Sequence, residues 1–493
     1  MLETAINALS RHLSGYLIQP GDAAYEDQLH IDNGRIQFRP RLIIFPAVVE
    51  DVKLALKFAV THNLPFSVKG GGHSAAGYCM NQGGVVIAMK NLNKMVFDPI
   101  KETATIGMGV IWYDVYKFLQ DNKENTKGLI PVGGGCPTVA PPGFMLGGGY
   151  SFVSRSYGMS IDNLISLKIV TPDGELRHIG EHSTSSDDID LFWACRGGGG
   201  GNFGIVTEME IRVREPKTKQ MLVGQIRYHL DQTEDVLGYY NEWVEQIPNE
   251  MAVYGFMGNQ KDLIDKVTNV KVLGLTPVFN GAYEEGIDLI QGLLKLKPIN
   301  ADLFSMTLPD WEFYNGYTTR VAGRSSYIRS TILPKGGMNN AVAKVVRKYI
   351  GNAPSPDSFA VWTLTGGAIT DVAADATAYV HRDCRFVPEI KSIWDLDKPG
   401  DANKNVEWAY DFFEEFATAG NATGAYVNYI DPLQHNWADM YYGKNYKRLV
   451  AIKERVDPNN YFNFQQSVGS PFNPPKELTD FSPLNRTQIT PKV

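Results

Sequence analysis

The sequence has neither an excess of positive charge nor a long hydrophobic run. Its 493 residues include 47 lysines and arginines against 54 aspartates and glutamates, a formal net charge of −7, and no run of basic residues stands out. No apolar run approaches the roughly 20 residues that a membrane helix needs. We therefore expect neither nucleic acid nor a membrane as a partner.

Signals for export, for a disulfide framework and for metal binding are also absent. Residues 1–20 show no early positive charge followed by an apolar core of about 7–15 residues, which favours an intracellular location over a secreted one. The 4 cysteines, Cys79, Cys136, Cys195 and Cys384, are spaced neither like a zinc site nor like a dense disulfide framework. Since HExxH and CxxC are also missing, we expect no metal.

What the sequence does have is glycine, gathered in three clusters in its first half. They lie at residues 68–79, which include His73, at 131–164, which include Cys136, and at 196–204. Glycine lets a backbone approach a ligand or turn sharply, and N–H groups in such loops can cradle a phosphate. The GxxxxGK[ST] pattern is absent and the GxGxxG match in the third cluster is loose, so a nucleoside triphosphate is not indicated. The alternative is that the clusters are only turns.

Hydrophobic periodicity predicts an α+β fold. Short strands are expected at residues 40–46, 66–69, 84–89 and 104–109, and helices over 50–65 and 112–122. From about residue 216 to 420, long alternating strands mix with helices, which predicts a mainly antiparallel sheet. The tail, residues 426–468, reads as a strand, a long helix and an aromatic closing stretch. The predicted organisation is discontinuous, with residues 1–215 and the tail around one cofactor and 216–420 as a cover.

Five motifs in chain order carry a specific resemblance. They are KGGGHS at residues 69–74, VGGGCPTV at 132–139, LGGGYSFVSRSYGMSIDNL at 146–164, RGGGGGNFGIVT at 196–207, and YVNYID with YYGKNYKRLVAIKERVDPNNYFNFQQSV within 426–468. The sequence resembles the berberine bridge enzyme-like and oligosaccharide oxidase family of FAD-linked oxidases, which are flavoproteins of the vanillyl-alcohol oxidase type. The match covers nearly the whole chain and is looser in the middle section.

This resemblance implies the fold and its divisions. An FAD-binding domain of two subdomains is expected from residues 1–215 and from the returning segment 421–493. A substrate domain, residues 216–420, is expected to be an antiparallel sheet covered by helices.

The resemblance further implies an FAD attached twice, through His73 to the flavin 8-methyl group and through Cys136 to ring carbon C6. A neutral imidazole and a thiolate are the nucleophiles that such bonds need. The alternatives are a turn histidine bonded to backbone and a buried, inert thiol. The two motifs together favour attachment.

Further cofactor contacts follow from the same resemblance. They are expected at Gly70, Gly71, Gly72 and Ser74 for the pyrophosphate, and at Gly143, Gly147, Gly148, Asp162, Val206 and Gln466 along the rest of the FAD. Val139 is a core aliphatic residue or a residue beside the ring, where valine resembles the members that react with O₂ and leucine the dehydrogenase-like ones. The Ala140-Pro141-Pro142 sequence departs from the glycine of many members and is expected to reshape this loop.

Oxidation of a hydroxyl also needs a base, which contributes roughly 10²–10⁴-fold to the rate. In members of the family this base is the second tyrosine of a YxNY motif, which corresponds to Tyr429, and Tyr150 matches a second active-site tyrosine of plant members. Because a phenol has an unperturbed pKa of about 10, we expect neighbours to lower it. The glutamate base of berberine bridge enzymes proper has no firm equivalent in the sequence, which disfavours their alkaloid reaction.

The predicted function is a bicovalent FAD oxidase that takes a hydride from the C–OH carbon of a small hydroxylated molecule and passes the electrons to O₂, giving H₂O₂. The first substrate choice is a sugar or oligosaccharide oxidised at the anomeric carbon to a lactone, with Trp362, Tyr379 and Trp394 as candidates for stacking. A secondary-metabolite oxidase or oxidative cyclase stays open, as does a flavin-binding protein without turnover. We expect a monomer, and two N-x-T sequons, at Asn421 and Asn485, leave glycosylation open.

Overall fold

The computed structural model describes residues 2–261, 269–318, 324–397, 401–472 and 474. These ranges contain three β-sheets of four, six and seven strands. No helix within them is long and apolar enough to span a bilayer. Of the two sequons, Asn421 is exposed, and Asn485 lies outside the described residues.

Residues 2–214 form the first two sheets and the helices around them. The strands are β1 Tyr16–Ile18, β2 Leu42–Phe45, β3 Phe66–Lys69, β4 Val85–Ala88, β5 Met95–Asp98, β6 Thr103–Gly107, β7 Ile130–Pro131, β8 Leu164–Val170, β9 Leu176–Gly180 and β10 Ile205–Arg214. The helices are α1 Leu2–His12, α2 Tyr25–Gln28, α3 Val49–Thr61, α4 Trp112–Asp121, α5 Pro141–Leu146, α6 Ser154–Tyr157 and α7 Ser186–Ala194.

The two sheets differ in their pairing. The first has the order β1-β2-β4-β3, with β2 and β3 parallel to β4; β2 and β4 are wholly apolar and buried, as parallel strands covered on both faces are. The second has the antiparallel order β5-β6-β10-β8-β9, with β7 also paired to β10. The strands and helices predicted between residues 40 and 122 are confirmed to within a few residues.

Residues 221–419 form the third sheet and its helices. The strands are β11 Met221–His229, β12 Met251–Lys261, β13 Asn269–Phe279, β14 Asn300–Met306, β15 Ser325–Ser330, β16 Phe359–Leu364 and β17 Phe386–Trp394. The helices are α8 Thr233–Trp243, α9 Tyr283–Lys295, α10 Leu308–Thr318, α11 Asn340–Gly351 and α12 Ala402–Ala419. The order is β14-β11-β13-β12-β16-β17-β15, and every pair is antiparallel. The α+β fold class is confirmed; the domain boundaries stay a prediction.

Strand alternation gives this sheet two different faces. On β17, Phe386, Ile390 and Trp394 enter the core under helices α8, α9, α11 and α12. The intervening Glu389 and Lys391 therefore lie on the opposite face, which we call the roof face because it covers the glycine loops.

The tail, residues 424–472, returns to the first half of the chain. Its helices are α13 Trp437–Tyr442 and α14 Tyr446–Val456. The single long helix predicted here is wrong, because Gly443, with a φ of 46°, separates the two. The predicted strand is also wrong: Val427–Tyr429 is a 3-10 turn, in which the backbone N–H of Tyr429 donates to the Tyr426 carbonyl at 3.0 Å instead of to a neighbouring strand. Other 3-10 turns lie at Met89–Asn91, Ser160–Asn163, Leu230–Gln232, Gly367–Ile369 and Gly443–Asn445.

A buried ion pair ties the tail to the roof. Asp431, 1% exposed, accepts a 2.9 Å hydrogen bond from Nε of Arg329 and a 3.0 Å bond from the Tyr327 hydroxyl, both on β15. The Arg329 guanidinium also lies 3.8 Å from the ring centroid of Phe413 and pairs with Glu414 at 2.9 Å. The pair therefore fixes the backbone two residues beyond Tyr429.

Replacing Asp431 with alanine is expected to lower the free energy of unfolding by about 3–5 kcal/mol, because it leaves the Arg329 charge buried with one partner fewer. Denaturant titration of the purified protein measures the loss. The control is Asp439→Ala on α13, whose exposed side chain predicts a change within about 0.5 kcal/mol. A loss for Asp431→Ala no larger than this control would contradict the structural role of the pair.

Candidate active site

The histidine and cysteine loops meet at one threonine hydroxyl. His73 follows β3, and Cys136 follows β7. Oγ1 of Thr138 lies 3.0 Å from Nε2 of His73 and 3.6 Å from Sγ of Cys136. Cys136 is a free, exposed cysteine, which argues against the buried, inert alternative. The structure thus brings the two predicted nucleophiles together.

The cysteine loop is anchored on the first turn of α4. The backbone N–H of Trp112 donates to the carbonyl of Val139, and that of Tyr113 to the carbonyl of Pro137, both at 2.9 Å. Free N–H groups at a helix start need such acceptors. Val139 is half-buried, and its backbone position is set by this anchor.

The histidine loop touches the cysteine loop through glycine. A Cβ on Gly71 would lie 2.8 Å from the Thr138 carbonyl oxygen, closer than side chains come. Gly70 and Gly71 are exposed, whereas Gly72 is buried. The Ser74 hydroxyl accepts a 3.0 Å bond from the N–H of Tyr78, so it stabilises its own turn.

The proline pair after Val139 starts helix α5, with prolines at its first two positions. The expected reshaping of this loop relative to members that have glycine here stays a prediction. Gly143 in this helix is exposed, and an added Cβ there would meet nothing within 4 Å. At Gly201, in the third glycine cluster, the nearest atom would be 3.6 Å away, on Phe464. Open space therefore borders both glycine segments.

The tail forms hydrogen bonds to the central glycine run, which is residues 147–149. The Tyr426 hydroxyl accepts 2.8 Å bonds from the N–H of Gly149 and from Nδ2 of Asn428. Asn428 also donates to the Phe144 carbonyl at 2.8 Å. A Cβ on Gly147 would lie 2.0 Å from Oδ1 of Asn428, so a side chain at this position would displace Asn428. These contacts place the turn that carries Tyr429 against the loop.

Tyr429 faces Glu389 on the roof. Burial raises the pKa of the Tyr429 phenol well above its usual value, and the Glu389 carboxylate raises it further through charge and a side-chain hydrogen bond. Burial also raises the pKa of Glu389, while Lys391 opposes this. The expected lowering of the tyrosine pKa is wrong, because the nearest charged group is an acid and not a base.

A second carboxylate links this pair to the histidine. Oδ2 of Asp32 lies 3.5 Å from Nζ of Lys391, and Oδ1 lies 3.8 Å from Nδ1 of His73. The backbone N–H of Asp32 donates to the Gly72 carbonyl at 3.0 Å. Charged groups of alternating sign therefore run from the roof to the histidine loop.

Tyr150 turns into a buried aromatic cluster. It is 5% exposed, its hydroxyl bonds that of Tyr379, and its ring packs at 5.1 Å from that of Tyr426. Burial raises its pKa well above the usual value. Its proposed contact with substrate stays a prediction.

Three other predicted contact residues are placed as follows. Both carboxylate oxygens of Asp162 accept from Arg382, at 2.7 and 2.8 Å. Gln466, 1% exposed, donates to the Asp431 carbonyl at 2.8 Å and accepts from Tyr78 at 3.2 Å. Val206 is 5% exposed on β10. Their contacts with a cofactor stay predictions.

The residues present fit an FAD. An imidazole and a thiol side by side are the donor set for attachment to a flavin, and the open glycine backbone leaves room for a long cofactor. Among the described residues, no group of three or more histidine, cysteine, aspartate or glutamate side chains is placed to hold a metal ion.

Comparisons with known proteins agree with this geometry. Residues 40–180 match the FAD binding domain family and residues 425–469 the family described as berberine and berberine like. The chain is 29% identical to the uncharacterized FAD-linked oxidoreductase YvdP of Bacillus subtilis, over 93% of this chain and 99% of that protein. It is 24% identical to reticuline oxidase of Papaver somniferum, over 87% of this chain and 84% of that protein.

Solved structures share the fold. Physcomitrella patens BBE-like 1 superposes with a TM-score of 0.80 at 22% identity, covering 95% of this chain and 99% of that one. A chitooligosaccharide oxidase gives a TM-score of 0.81 at 22% identity, covering 94% and 99%. The resemblance drawn from the motifs is confirmed. The chain is an FAD-linked oxidoreductase that carries the FAD binding domain and the berberine and berberine like domain.

Sequence reasoning missed two acidic residues of this oxidoreductase. Glu389 lies in the strand FVPEIKSIW, where a single acid among apolar residues was the available signal. Glu312 on α10 stands between Trp311 and Phe313 in the sequence, a comparable signal.

Glu312 lies buried beneath the cysteine loop. It is 2% exposed, and its Oε1 accepts a 3.4 Å bond from the Tyr116 hydroxyl. Its Oε2 lies 3.3 Å from where a Cβ on Gly135 would be, and within the described chain it has no hydrogen-bond partner. Burial raises the pKa of Glu312 well above its usual value, so the neutral acid is the form that suits this site.

Glu312→Gln is expected to stabilise the protein more at pH 8 than at pH 5. The unfolded chain ionises this carboxyl above its usual pKa of 4.5, while the folded chain keeps it protonated. The wild-type protein therefore loses up to about 1.4 kcal/mol per pH unit from this group until the folded pKa is reached. Thermal unfolding at both pH values measures the difference, with exposed Glu124→Gln as the control. An equal shift in Tm at pH 5 and pH 8 would contradict a neutral Glu312.

Proposed function

We propose that the protein is an FAD oxidase with the cofactor bound covalently through His73 and Cys136. It oxidises a hydroxyl-bearing carbon of a small molecule to the carbonyl level and reduces O₂ to H₂O₂. FAD, when bound, supplies the hydride acceptor. The chain's own residues hold the cofactor, take up the hydroxyl proton and shape the substrate cleft.

The observation that carries the proposal is the Tyr429–Glu389 pair. Glu389 lies on the roof face, and Tyr429 lies on the tail turn beneath it. A substrate held between this pair and the loops that present His73 and Cys136 would meet both a base and the flavin. Because the pKa of the Tyr429 phenol is raised, its ionised form is unfavourable. We propose that it takes the substrate proton while giving its own to Glu389, and that Lys391 stabilises the ionised Glu389.

Covalent attachment is supported by the shared contact of both nucleophiles with Thr138. The exposed Cys136 thiol is accessible for bond formation. Reaction with O₂ is supported by Val139, a small aliphatic residue in the same loop. Val139, three residues after Cys136, would lie beside the proposed ring.

The side chains of the roof face favour a secondary metabolite over a sugar or oligosaccharide as the substrate. Trp362 and Trp394, the tryptophans considered for sugar stacking, are 1% and 3% exposed in the core on the other face of the sheet, and Tyr379 is 1% exposed. The roof face carries the half-buried aromatics Phe256 and Phe359, at 5.9 Å between ring centroids, and the half-buried Tyr254, whose hydroxyl donates to the Tyr150 carbonyl. We propose a secondary metabolite with a flat apolar body and a hydroxyl as substrate, and a sugar or oligosaccharide as the second candidate.

An anaerobic substrate panel tests the oxidase and its substrate class together. Bleaching of the yellow protein by hydroxylated polycyclic compounds and not by sugars is the expected result, and readmitted air should restore the colour with formation of H₂O₂. Bleaching by sugars alone would make a sugar or oligosaccharide the favoured substrate and a secondary metabolite the second candidate. A spectrum unchanged by every compound would support the third alternative, a flavin-binding protein without turnover. FAD released into the supernatant on acid denaturation would contradict covalent attachment.

The rate of flavin reduction is expected to fall at low pH as Glu389 is protonated. Because the pKa of Glu389 is raised above its usual 4.5, the acid limb should lie above that pH. Glu389→Gln should remove the limb and leave a slow, nearly pH-independent reduction, and Tyr429→Phe should slow reduction by roughly 10²–10⁴-fold while the colour is retained. Stopped-flow absorbance with a substrate from the panel measures both.

The matched control for Glu389→Gln is Glu407→Gln on α12, whose side chain is exposed. It should keep the wild-type pH profile. An unchanged acid limb in Glu389→Gln, or near wild-type reduction in Tyr429→Phe, would refute the roles given to these residues.

A further inference from the structure

The Thr138 hydroxyl contacts both predicted attachment residues, His73 and Cys136. Oγ1 of Thr138 lies 3.0 Å from Nε2 of His73 and 3.6 Å from Sγ of Cys136. A hydroxyl donates one hydrogen bond and accepts others at the same time. It can therefore donate to the imidazole and accept from the thiol, or the reverse, without moving.

The backbone on both sides of Thr138 is fixed. The carbonyls of Pro137 and Val139 each accept a 2.9 Å bond from the first turn of α4. The Thr138 carbonyl lies so close to Gly71 of the histidine loop that a Cβ there would be only 2.8 Å from its oxygen. The hydroxyl thus stands at a defined point between the two loops.

The opposite edge of the imidazole faces Asp32, which is itself held in place. Oδ1 of Asp32 lies 3.8 Å from Nδ1 of His73. Its backbone N–H bonds the carbonyl of Gly72 at 3.0 Å, and the neighbouring Asn33 side chain bonds the carbonyl of Ala75 at 2.8 Å. These two bonds flank His73, so Asp32 and the histidine loop are joined before and after the ring.

We propose that Thr138 and Asp32 are positioning residues that orient His73 and Cys136 for covalent attachment of FAD. The inference rests on the attachment proposed above and goes beyond it, because neither residue bonds the cofactor. Whichever ring nitrogen forms the bond, the other nitrogen keeps its partner and the ring keeps its angle. The Asp32 carboxylate also stabilises the positive charge that an imidazole gains when it is alkylated.

The chemistry of attachment balances without consuming either positioning residue. Each step forms one bond, C–S at Cys136 or C–N at His73. It removes one hydrogen from the flavin carbon and one from the nucleophile. These two hydrogens and their electrons reduce O₂, the acceptor of the proposed oxidase, to H₂O₂. Thr138 and Asp32 only hold and pass protons.

The test of Thr138 compares Thr138→Val with Thr138→Ser in the full-length protein. Peptide mass mapping, at a short fixed time after induction and again at the end of expression, gives the flavin-bearing fraction at each residue. Loss of a neutral hydrogen bond should lower the early fraction roughly fivefold in Thr138→Val, and Thr138→Ser should restore it. The control is Thr105→Val, a half-buried strand position on β6.

Asp32→Asn should act on one attachment only. The flavin-bearing fraction at His73 should fall by up to roughly fivefold, as for the loss of one partly exposed charge pair, while that at Cys136 stays at the wild-type level, since the imidazole and not the thiol lies beside this carboxylate. The control is Asp27→Asn, an exposed position five residues earlier in the chain. Equal losses at both residues would overturn the separate role of Asp32.

FAD content before denaturation separates attachment from binding and folding. The expected Thr138→Val protein is yellow and folded but releases its FAD in acid, and a Thr138→Ala variant gives the same result if valine disturbs the loop. Wild-type attachment in these variants, or variants that bind no FAD at all, would overturn the positioning role and leave the proposed function standing. A wild-type protein with no flavin on either residue would overturn both proposals.

Discussion

The buried pair of Arg329 and Asp431 is the constraint on which the site depends. Two charges almost without solvent contact are tolerated in a protein only when each is paired and hydrogen-bonded, and here β15 and the tail each supply one of them. Because the pair lies two residues beyond Tyr429, it holds the 3-10 turn beneath the roof. The same turn bonds the central glycine run through Tyr426 and Asn428. The ion pair and these hydrogen bonds therefore join the roof, the tail and the glycine loops into one unit.

In the proposed mechanism, the charges of this unit move a proton through the Tyr429 phenol without leaving a negative charge on it. A tyrosine with a raised pKa stays neutral, so the role proposed for Tyr429 as a base depends on Glu389 beside it. Glu389, Lys391 and Asp32 alternate in sign toward the less buried side of the site. In the proposed mechanism, Glu389 can therefore gain a proton while Lys391 stays paired with Asp32.

Much of the fold and of the candidate site could be predicted from the sequence, for identifiable reasons. The buried strands such as LIIF, the amphipathic helices and the glycine loops carry local signals, and the motifs around His73 and Cys136 carried the family resemblance. The tail was predicted less well, because the YVNYID segment gains its shape from contacts with residues about 280 positions earlier in the chain. Glu389 was missed for a similar reason: the register of a seven-stranded sheet decides which face it occupies. Trp362 and Trp394 could not be separated from core residues on the same account, and both lie in the core.

The chain order of these contacts has a consequence for biosynthesis. The histidine loop is made early, yet Tyr78 at its end bonds Gln466, and Phe66 packs edge-on against Phe462 at 5.0 Å between ring centroids. These partners are synthesised about 390 residues after the histidine loop. The histidine loop therefore gains its contacts with Phe462 and Gln466 only after those residues have been made.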